Sequence, residues 1–405
     1  MIAWPELATH RDWLAGELAR LLAFGRELPA DGGGARWLDD DGHPDPSQPV
    51  QTWITSRTVH VYSLATMLGV PGAAAIADAA LAGLAGPLHD DENGGWFADA
   101  GPGRESGLKA CYDHAFVVLA ASSATLAGRP GARELLDEAL DVLGTRFWDE
   151  ADGMCVDGWS RDWAHLDPYR GVNANMHTVE ASLAAYDVTG DKLWLDRARR
   201  ICTRVVAAAA ANEWRIPEHY DEEWVPQLEL NADRPGDKFK PYGATIGHGL
   251  EWARLLLHVE AAGADVPGGG LEGATALFDR AVADGWAADG APGFVYTTDW
   301  SGAPVVHDRM HWVVAEATAA AAALYQRSED ERFAELYAQW WDYAVEHVLD
   351  VERGSWHHQL DQDNVPTDTV WPGKADLYHA VQSVLIPRLP LAPAIGRAVA
   401  DGLVR

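Results

Sequence analysis

The chain has few cysteines and no long apolar run. Its three cysteines, Cys111, Cys155 and Cys202, are an odd number without Cys-x-x-Cys spacing. This pattern argues against a disulfide scaffold, offers no zinc site and is typical of a reducing compartment. No uncharged apolar run reaches about 18 residues, so no transmembrane helix is expected. The N-terminal segment MIAWPELATHRDWL lacks the basic and apolar regions of a signal peptide, and we expect a cytoplasmic protein.

Positive charge is also scarce. The 405 residues include 31 Lys and Arg against 61 Asp and Glu, which gives a formal net charge of −30. A field of this sign repels nucleic acids and anionic membrane surfaces, so neither is expected as a partner. By contrast, 19 tryptophans and 16 histidines are present. Indole rings stack on sugars and also fill cores, and composition alone favours core filling.

A unit of two helices recurs along the chain. An alanine- and leucine-rich helix with a polar start is followed by a break, a more amphipathic helix and a short aromatic hairpin. The first helices are nearly apolar all round and should be buried on every side, whereas the second helices have one charged face. The first helices begin near Arg57, Tyr112, Asn175, His248, His311 and Leu377.

Six such pairs predict an all-α fold, an (α/α)6 barrel in which twelve helices form a closed double ring. Residues 1–405 would form one catalytic domain of this kind, with short β-hairpins in the connections. An open solenoid is the alternative, but its terminal repeats should then be polar caps. The predicted hairpins include residues 153–163, 293–305 and 355–366.

Polar side chains gather at the same relative place in all six first helices. These helices would run parallel, so their N-terminal ends should meet around one cavity, whereas residues without a shared function would be scattered. Any one of these histidines alone is more often a core or capping residue. The residues concerned are Arg57, His60, Tyr112, Asp113, His114, Asn173, Asn175, His177, His248, Glu251, Trp252, Trp312, Glu316, Asp376, Tyr378 and His379.

Two histidines at one cavity suit proton transfer beside a carbonyl. Histidine titrates near about pH 6.5, so an imidazole can take and return a proton at neutral pH. His248 and Glu251 are three residues apart on one helix face, and Glu251 should hold the imidazole or bind a substrate hydroxyl. Arg57 could stabilise an enediolate oxygen. The glycines on either side of His248 would give a sugar close access to the helix start.

Other functions stay open at this point. An inverting glycosidase needs two opposed carboxylates, which Glu251, Glu316 and Asp113 could supply. A sugar-binding or scaffold protein would bind without turnover. No phosphate-binding loop, nucleophile elbow or dinucleotide fingerprint is present. Adjacent histidines within Trp356–His358 do not make a metal site, and this segment is expected to be a surface hairpin.

Five segments resemble the N-acylglucosamine 2-epimerase superfamily. They are RTVHVYSLA, YDHAFVVLA, NANMHTVEA, IGHGLEWARLLL and GKADLYHAVQSVLIP, and the match runs in order from about Trp53 to Pro390. They look most like the branch of mannose isomerases and sulfoquinovose-type aldose–ketose isomerases. The resemblance implies the same (α/α)6 barrel and a reaction through a cis-enediol, with no metal and no nucleotide cofactor.

Carried over by motif, the resemblance implies a catalytic pair. His379 would move the proton between C1 and C2, and His248 would be its acid/base partner. The resemblance implies that the monosaccharide is bound by Arg57, Tyr112, Asn175, His177, Glu251, Trp312 and Glu316. The expected reaction is D-mannose to D-fructose, with lyxose-like aldoses as further substrates, in a monomer or a homodimer.

Alternatives to mannose as the substrate and to fructose as the product stay open. Lys238 and Lys240 precede the His248 helix and could receive a sulfonate, as in sulfoquinovose, although the acidic field favours a neutral sugar. The same histidine pair could also deliver the proton to the opposite face of C2. That outcome would make the protein a sugar 2-epimerase.

Overall fold

Helices form two concentric layers in the computed structural model, which describes residues 3–103 and 107–405. The inner layer consists of α2 (Thr52–Met67), α4 (Cys111–Leu126), α6 (Val172–Thr189), α8 (Ile246–Ala261), α10 (His311–Ser328) and α12 (Tyr378–Leu385). The outer layer consists of α1 (Ala8–Phe24), α3 (Ala73–Leu84), α5 (Ala132–Val142), α7 (Lys192–Ala211), α9 (Gly270–Gly285) and α11 (Glu331–Tyr343). A last short helix, α13 (Ile395–Ala400), follows the barrel.

The inner layer is a closed ring. Each inner helix contacts the next, and α12 returns to contact α2. The N-terminal helix α1 packs on α12, so the first and last parts of the chain complete the sixth pair together. The predicted (α/α)6 barrel is therefore confirmed, and the open solenoid is excluded.

Burial follows the two sequence patterns. Every residue of α8 from Ile246 to Val259 is buried, as expected for a helix that is apolar nearly all round. The outer helices keep one charged face in solvent. Several of the tryptophans fill the core, because the indoles of Trp96, Trp252, Trp340, Trp341 and Trp356 are almost wholly inaccessible. Along the described residues, no helix is both long and apolar enough to span a bilayer.

Short antiparallel ladders surround one end of the ring. The strands are β1 (Lys109–Ala110), β2 (Trp148–Asp149), β3 (Met154–Cys155), β4 (Gly158–Trp159), β5 (Arg170–Gly171), β6 (His219–Tyr220), β7 (Ala244–Thr245), β8 (Thr297–Thr298), β9 (Pro304–Val306), β10 (Arg309–Met310) and β11 (Gln359–Leu360). The pairs are β1–β4, β2–β3, β5–β6, β7–β8, β8–β9 and β10–β11. Four of these strands, β1, β5, β7 and β10, directly precede an inner helix and pair with a strand that follows the next outer helix.

One backbone hydrogen bond recurs at these four ladders. The first amide of an inner helix donates to the carbonyl of the residue just before the partner strand. The four bonds are Cys111 to Asp157 (2.7 Å), Val172 to Glu218 (3.2 Å), Ile246 to Tyr296 (3.1 Å) and His311 to His358 (3.1 Å). The four acceptor residues therefore occupy equivalent positions beside the helix N-termini, and we call them the ladder positions.

The hairpin predictions met with mixed results. The hairpin predicted at 293–305 is observed as β8–β9, which ends one residue later, at Val306. The hairpin at 153–163 is wrong, because β3 pairs with β2 and β4 pairs with β1. The reason is that β4 is taken up by the ladder next to α4, so it is not free to pair with its neighbour in sequence.

Lys374 connects the N-terminal and C-terminal parts of the chain. Its ammonium donates to the Asp350 carboxylate (2.6 Å) and to the carbonyls of Asp40 (2.9 Å) and Gly354 (3.1 Å). The Lys374 side chain is 0 % exposed. Burying a charge in this way is tolerable only while its partners remain in place.

We expect Lys374→Met to lower the free energy of unfolding by about 3 kcal/mol, because it leaves the Asp350 carboxylate buried without its ammonium. Urea unfolding measures this value. Lys192→Met makes the same substitution at an exposed lysine and should change stability by less than about 0.5 kcal/mol. Equal stabilities for the two variants would contradict the role given to Lys374.

Candidate active site

The N-terminal ends of the inner helices open onto one pocket. Its lining combines imidazoles, indoles and two acidic side chains with one arginine and one lysine. The lining residues are Trp37, Trp53, Arg57, Tyr112, Asn173, His177, Lys238, Phe239, Pro241, His248, Glu251, Tyr296, His311, Trp312, His358, Trp371, Asp376 and His379. Of the candidates taken from the sequence, the pocket brings together Arg57, Tyr112, His177, His248, Glu251, Trp312 and His379.

Asn175 is not brought to the pocket. Its side-chain oxygen accepts from the amide of Cys155 (2.7 Å), and its nitrogen donates to the carbonyls of Cys155 (3.0 Å) and Gly171 (2.9 Å). The amide thus ties β3 to α6. Asn173 lines the pocket instead, since residues two apart on a helix point to nearly opposite sides.

Glu316 lies behind the pocket and holds His379. The Nδ1–H of His379 donates to Glu316 Oε1 (2.9 Å), while Glu316 Oε2 accepts from Arg254 Nε (2.9 Å). Burial opposes ionisation, but Arg254 and His379 outweigh it and lower the pKa of Glu316. Since a carboxylate only accepts, Nδ1 of His379 carries a proton, and Nε2 is the nitrogen left to act on a substrate.

Glu218 holds His248 in the same manner. The Nδ1 of His248 is 3.0 Å from both carboxylate oxygens of Glu218. Of the two alternatives predicted for Glu251, it does not hold this imidazole, and the binding of a substrate hydroxyl stays a prediction. Glu218 occupies a ladder position in a connection, and a search confined to helix starts could not find it. The available signal was its place in the Glu-His-Tyr segment that follows an outer helix.

The indole of Trp312 lies beside both histidine rings. The centroid of its indole is 5.4 Å from the His248 ring and 5.7 Å from the His379 ring. A Cβ added to Gly247 would lie 2.2 Å from the Trp312 ring, and one added to Gly249 would lie 3.1 Å from Ala281. These glycines permit close helix contacts and are not part of the pocket lining, so the access of a sugar past them stays a prediction.

Arg57 is a fixed cation in the pocket. Its guanidinium donates to the carboxylate of Asp376 and, at 3.1 Å, to the hydroxyl of Tyr112. The ring of Phe116 lies 4.4 Å from the same guanidinium. Burial alone would raise the pKa of Asp376, but the charge of Arg57 outweighs burial and lowers that pKa to about 2. Burial raises the pKa of Tyr112 to about 12, so its hydroxyl stays neutral at neutral pH.

Glu251 and His177 are buried polar groups without firm partners. Neither oxygen of Glu251 has a hydrogen-bond partner among the described residues, and Nδ1 of His177 lacks one too. The nearest contacts of Glu251 are Arg254 at 3.5 Å and His177 at 3.9 Å. Burial and then Glu316 raise the pKa of Glu251 well above its usual range, and burial lowers that of His177. Two neutral groups therefore face the pocket and suit sugar hydroxyls.

Two buried groups of side chains have the spacing of metal ligands. They are His177 with Glu180 and Glu251, and Glu251 with Glu316 and His379. Their carboxylates, however, already have donors or a cation beside them. Arg254 pairs with both Glu251 and Glu316, and Tyr378 and Gln382 donate to Glu180. A metal ion would have to compete with a buried guanidinium, which makes either site a poor fit.

An aromatic wall completes the pocket. The ammonium of Lys238 lies 4.2 Å from the Trp371 ring and 5.4 Å from the Trp37 ring. In the part of the chain that the structure describes, this ammonium makes no ion pair or hydrogen bond. Lys240 instead lies against Tyr169, 3.5 Å from its ring, outside the pocket lining. Only one of the two loop lysines therefore reaches the pocket.

Trp356–His358 is not a surface hairpin as expected. Trp356 is 1 % exposed, and His358 is 5 % exposed and lines the pocket. Pairing of β10 with β11 turns the segment inward, and His358 occupies a ladder position. Tyr296, at the ladder position beside α8, also lines the pocket.

Gly247→Ala should displace Trp312, because the new Cβ overlaps the indole. We expect a loss of about 1–3 kcal/mol in the free energy of unfolding, as for other overpacked sites. Near-ultraviolet circular dichroism should report the movement of the indole. Gly16→Ala is the control, since nothing lies within 4 Å of a Cβ at that position. A stable variant with an unchanged tryptophan spectrum would contradict this packing.

Comparisons with known proteins agree with the geometry. The profile of the family described as N-acylglucosamine 2-epimerase (GlcNAc 2-epimerase) matches residues 33–383. The D-mannose isomerase of Thermobifida fusca is 50% identical over 404 residues, covering 99% of both chains. The D-mannose isomerase of Pseudomonas cannabina pv. alisalensis is 45% identical over 403 residues, covering 98% of this chain and 97% of the relative.

A solved structure gives the same result for the fold. The crystal structure of a D-mannose isomerase superposes with a TM-score of 0.85 at 29% identity, covering 92% of this chain and 96% of that one. The match of the family profile spans most of the chain, and two relatives match it from end to end. The chain therefore belongs to the N-acylglucosamine 2-epimerase family.

Proposed function

We propose that this chain is an aldose–ketose isomerase that converts D-mannose to D-fructose. The observation that carries the proposal is the pair His248 and His379, each fixed through Nδ1 by a buried carboxylate and each beside the ring of Trp312 in one pocket. The high identity to two D-mannose isomerases over the full chain supports the same reaction.

The reaction requires one proton to move between carbons and another between oxygens. His379 Nε2 takes the proton from C2 of the open-chain aldose, which leaves a cis-enediolate, and returns it to C1. His248 gives a proton to O1 and takes one from O2, so both imidazoles end in their starting states. Arg57 stabilises the negative charge that develops on the oxygen in between.

The remaining residues bind and orient the sugar. Glu251 in its protonated form and neutral His177 face the pocket and can bind hydroxyls and assist ring opening. Asn173 takes the binding role expected of Asn175, because it is the asparagine of α6 that lines the pocket. Trp312 provides an apolar surface for the carbon skeleton. Glu218 and Glu316 act through the histidines that they hold.

The proposal also covers the domain organisation, the location, the oligomeric state and the substrate of the protein. Residues 1–405 act as one catalytic domain in the cytoplasm, as a monomer or a homodimer, without metal or cofactor, on a small neutral monosaccharide. Lyxose-like aldoses would share the first carbons of mannose and so fit the catalytic end. The free ammonium of Lys238 is the observation that keeps sulfoquinovose as a second candidate substrate. Slow 2-epimerisation by the same histidines also fits this geometry.

The geometry weighs against a glycosidase. Glu316 does not line the pocket, and Glu251 and Glu316 contact the same arginine, Arg254. An inverting glycosidase needs two carboxyl groups facing each other across the scissile bond, about 6.5–9.5 Å apart. Asp113, the third carboxylate considered, is also outside the pocket lining.

Proton NMR of the protein with D-mannose in D₂O tests the reaction directly. We expect D-fructose to appear, with deuterium at the carbon that exchanges, at equal rates with and without EDTA. Glucose as the first product would instead indicate a 2-epimerase. Faster turnover of sulfoquinovose than of mannose would contradict the neutral-sugar proposal. Loss of activity in EDTA that added metal restores would contradict metal-free chemistry.

Glu218→Gln tests how His248 is held. We expect kcat for mannose to fall by about 10²-fold, because general acid–base steps are worth on the order of 10² to 10⁴ in rate. KM and the melting temperature should stay near their wild-type values. Glu222→Gln, at an exposed position of the same connection, is the matched control. A large rise in KM or loss of folding would instead point to a binding or structural role for Glu218.

A further inference from the structure

Two histidines of the pocket have no part in the mechanism above. His311 is the first residue of α10, and His358 occupies the ladder position beside it. Their rings are stacked, with centroids 4.1 Å apart and planes 8° from parallel. Both line the pocket, and each is 5 % exposed. Buried ring nitrogens are normally hydrogen-bonded, and the protein supplies hydrogen-bond partners for only some of the nitrogens of this pair.

Backbone carbonyls fix which nitrogen carries the proton in each ring. His358 Nε2 is 3.1 Å from the carbonyl of Asp376, and His311 Nδ1 is 3.2 Å from the carbonyl of His358. A carbonyl only accepts, so each of these nitrogens must be the N–H donor. The other nitrogens, His358 Nδ1 and His311 Nε2, are then acceptors. His311 Nε2 is buried without a hydrogen-bond partner in residues 3–103 and 107–405.

The two rings stay uncharged. Burial lowers the pKa of His358 to about 4, and burial followed by the neighbouring His358 lowers that of His311. The charged groups around them are Asp376, whose charge is balanced by Arg57, and Lys374, which is paired with Asp350. Two imidazolium ions stacked at 4.1 Å would repel each other. The pair therefore offers two acceptors, and no spare donor, to whatever fills the pocket.

The stack is not needed to close the β10–β11 ladder. The backbone amide of His311 already donates to the His358 carbonyl (3.1 Å), in the bond that recurs at the other ladders. Ladder positions elsewhere in the ring also carry side chains that belong to the active site. The preceding positions carry Glu218, which holds His248, and Tyr296, which lines the pocket. Of the four ladder positions, those of Tyr296 and His358 therefore face the pocket directly. Glu218 instead acts from behind His248, and Asp157 accepts from the Gly171 amide.

We propose that His311 Nε2 and His358 Nδ1 accept hydrogen bonds from two hydroxyl groups of the substrate and thereby determine specificity. This inference rests on the proposed sugar isomerase function. The pair would select polyhydroxy substrates with free hydroxyls at both positions. Deoxy and O-methylated sugars at either position would be rejected, because they leave a buried acceptor unpaired.

His311→Phe is the most direct test, since phenylalanine keeps a flat ring, slightly larger than imidazole, in the stack and removes both nitrogens. D-Mannose is compared with its 3-deoxy, 4-deoxy and 6-deoxy analogues by kcat/KM. We expect the wild-type protein to lose at least about 10-fold on one or two of the analogues. The kcat/KM of His311→Phe for mannose should be about 10-fold below that of the wild type, and it should not fall further for one of those analogues. The kcat/KM of His358→Phe should likewise not fall further for a second analogue.

His357→Phe is the matched control, because His357 is adjacent in sequence and absent from the pocket lining. It should keep the wild-type ranking of sugars. Equal losses on mannose and on every analogue would overturn the inference in favour of a structural role. Wild-type behaviour of both pocket variants would overturn it as well. If one variant fails to fold, the other variant and the wild-type analogue series decide.

Calorimetric binding of D-mannitol separates this inference from the proposed function. Mannitol has the hydroxyls of the open-chain sugar and cannot be isomerised. Binding at least about 10-fold weaker to His311→Phe than to wild type supports the inference even if mannose is not turned over. Equal binding overturns it, whereas a wild-type protein that binds mannitol but does not convert mannose overturns only the isomerase proposal.

Discussion

The pocket depends on one repeated backbone hydrogen bond, from the first amide of an inner helix to the carbonyl just before a ladder strand. A helix start leaves its first amides unpaired, and this bond satisfies one of them at four places around the ring. It also fixes each connection against a helix mouth, so that a side chain from the connection lies beside the pocket. Glu218 and His358 reach their positions in this way, although neither belongs to a helix.

A second constraint is electrostatic. Arg254, almost wholly buried, lies between the carboxyl groups of Glu251 and Glu316. Two buried carboxylates near one guanidinium do not both ionise easily, and the pKa values of Glu316 and Glu251 move in opposite directions. Glu316 keeps its charge and holds His379, while Glu251 stays protonated and faces the pocket. One arginine thus gives two identical side chains different chemistry.

The interior of the pocket contrasts with the strongly acidic chain around it. His177, His311 and His358 are kept neutral by burial, and the charge of Arg57 is balanced by Asp376. A site of this kind suits a polar ligand held by hydrogen bonds, as the proposed function requires. Lys238 is the exception, and it lies on the aromatic wall beside Trp37 and Trp371.

The sequence by itself determined the six helix pairs, because the periodicity of apolar residues reports which face of a helix is buried. Its motifs indicated the family and most of the residues at the helix mouths, and the contacts between α12 and α2 then showed that the ring is closed. It did not determine which side chains contact each other. Helix periodicity gives no register between neighbouring helices, so it left open whether Glu251 holds His248 or binds a substrate hydroxyl, and Asn175 was expected to bind the sugar. The connecting strands are two or three residues long and carry no periodic signal. Only the tertiary structure decided that Glu218 holds His248 and that His358 turns inward, because a ladder brings together residues about fifty positions apart.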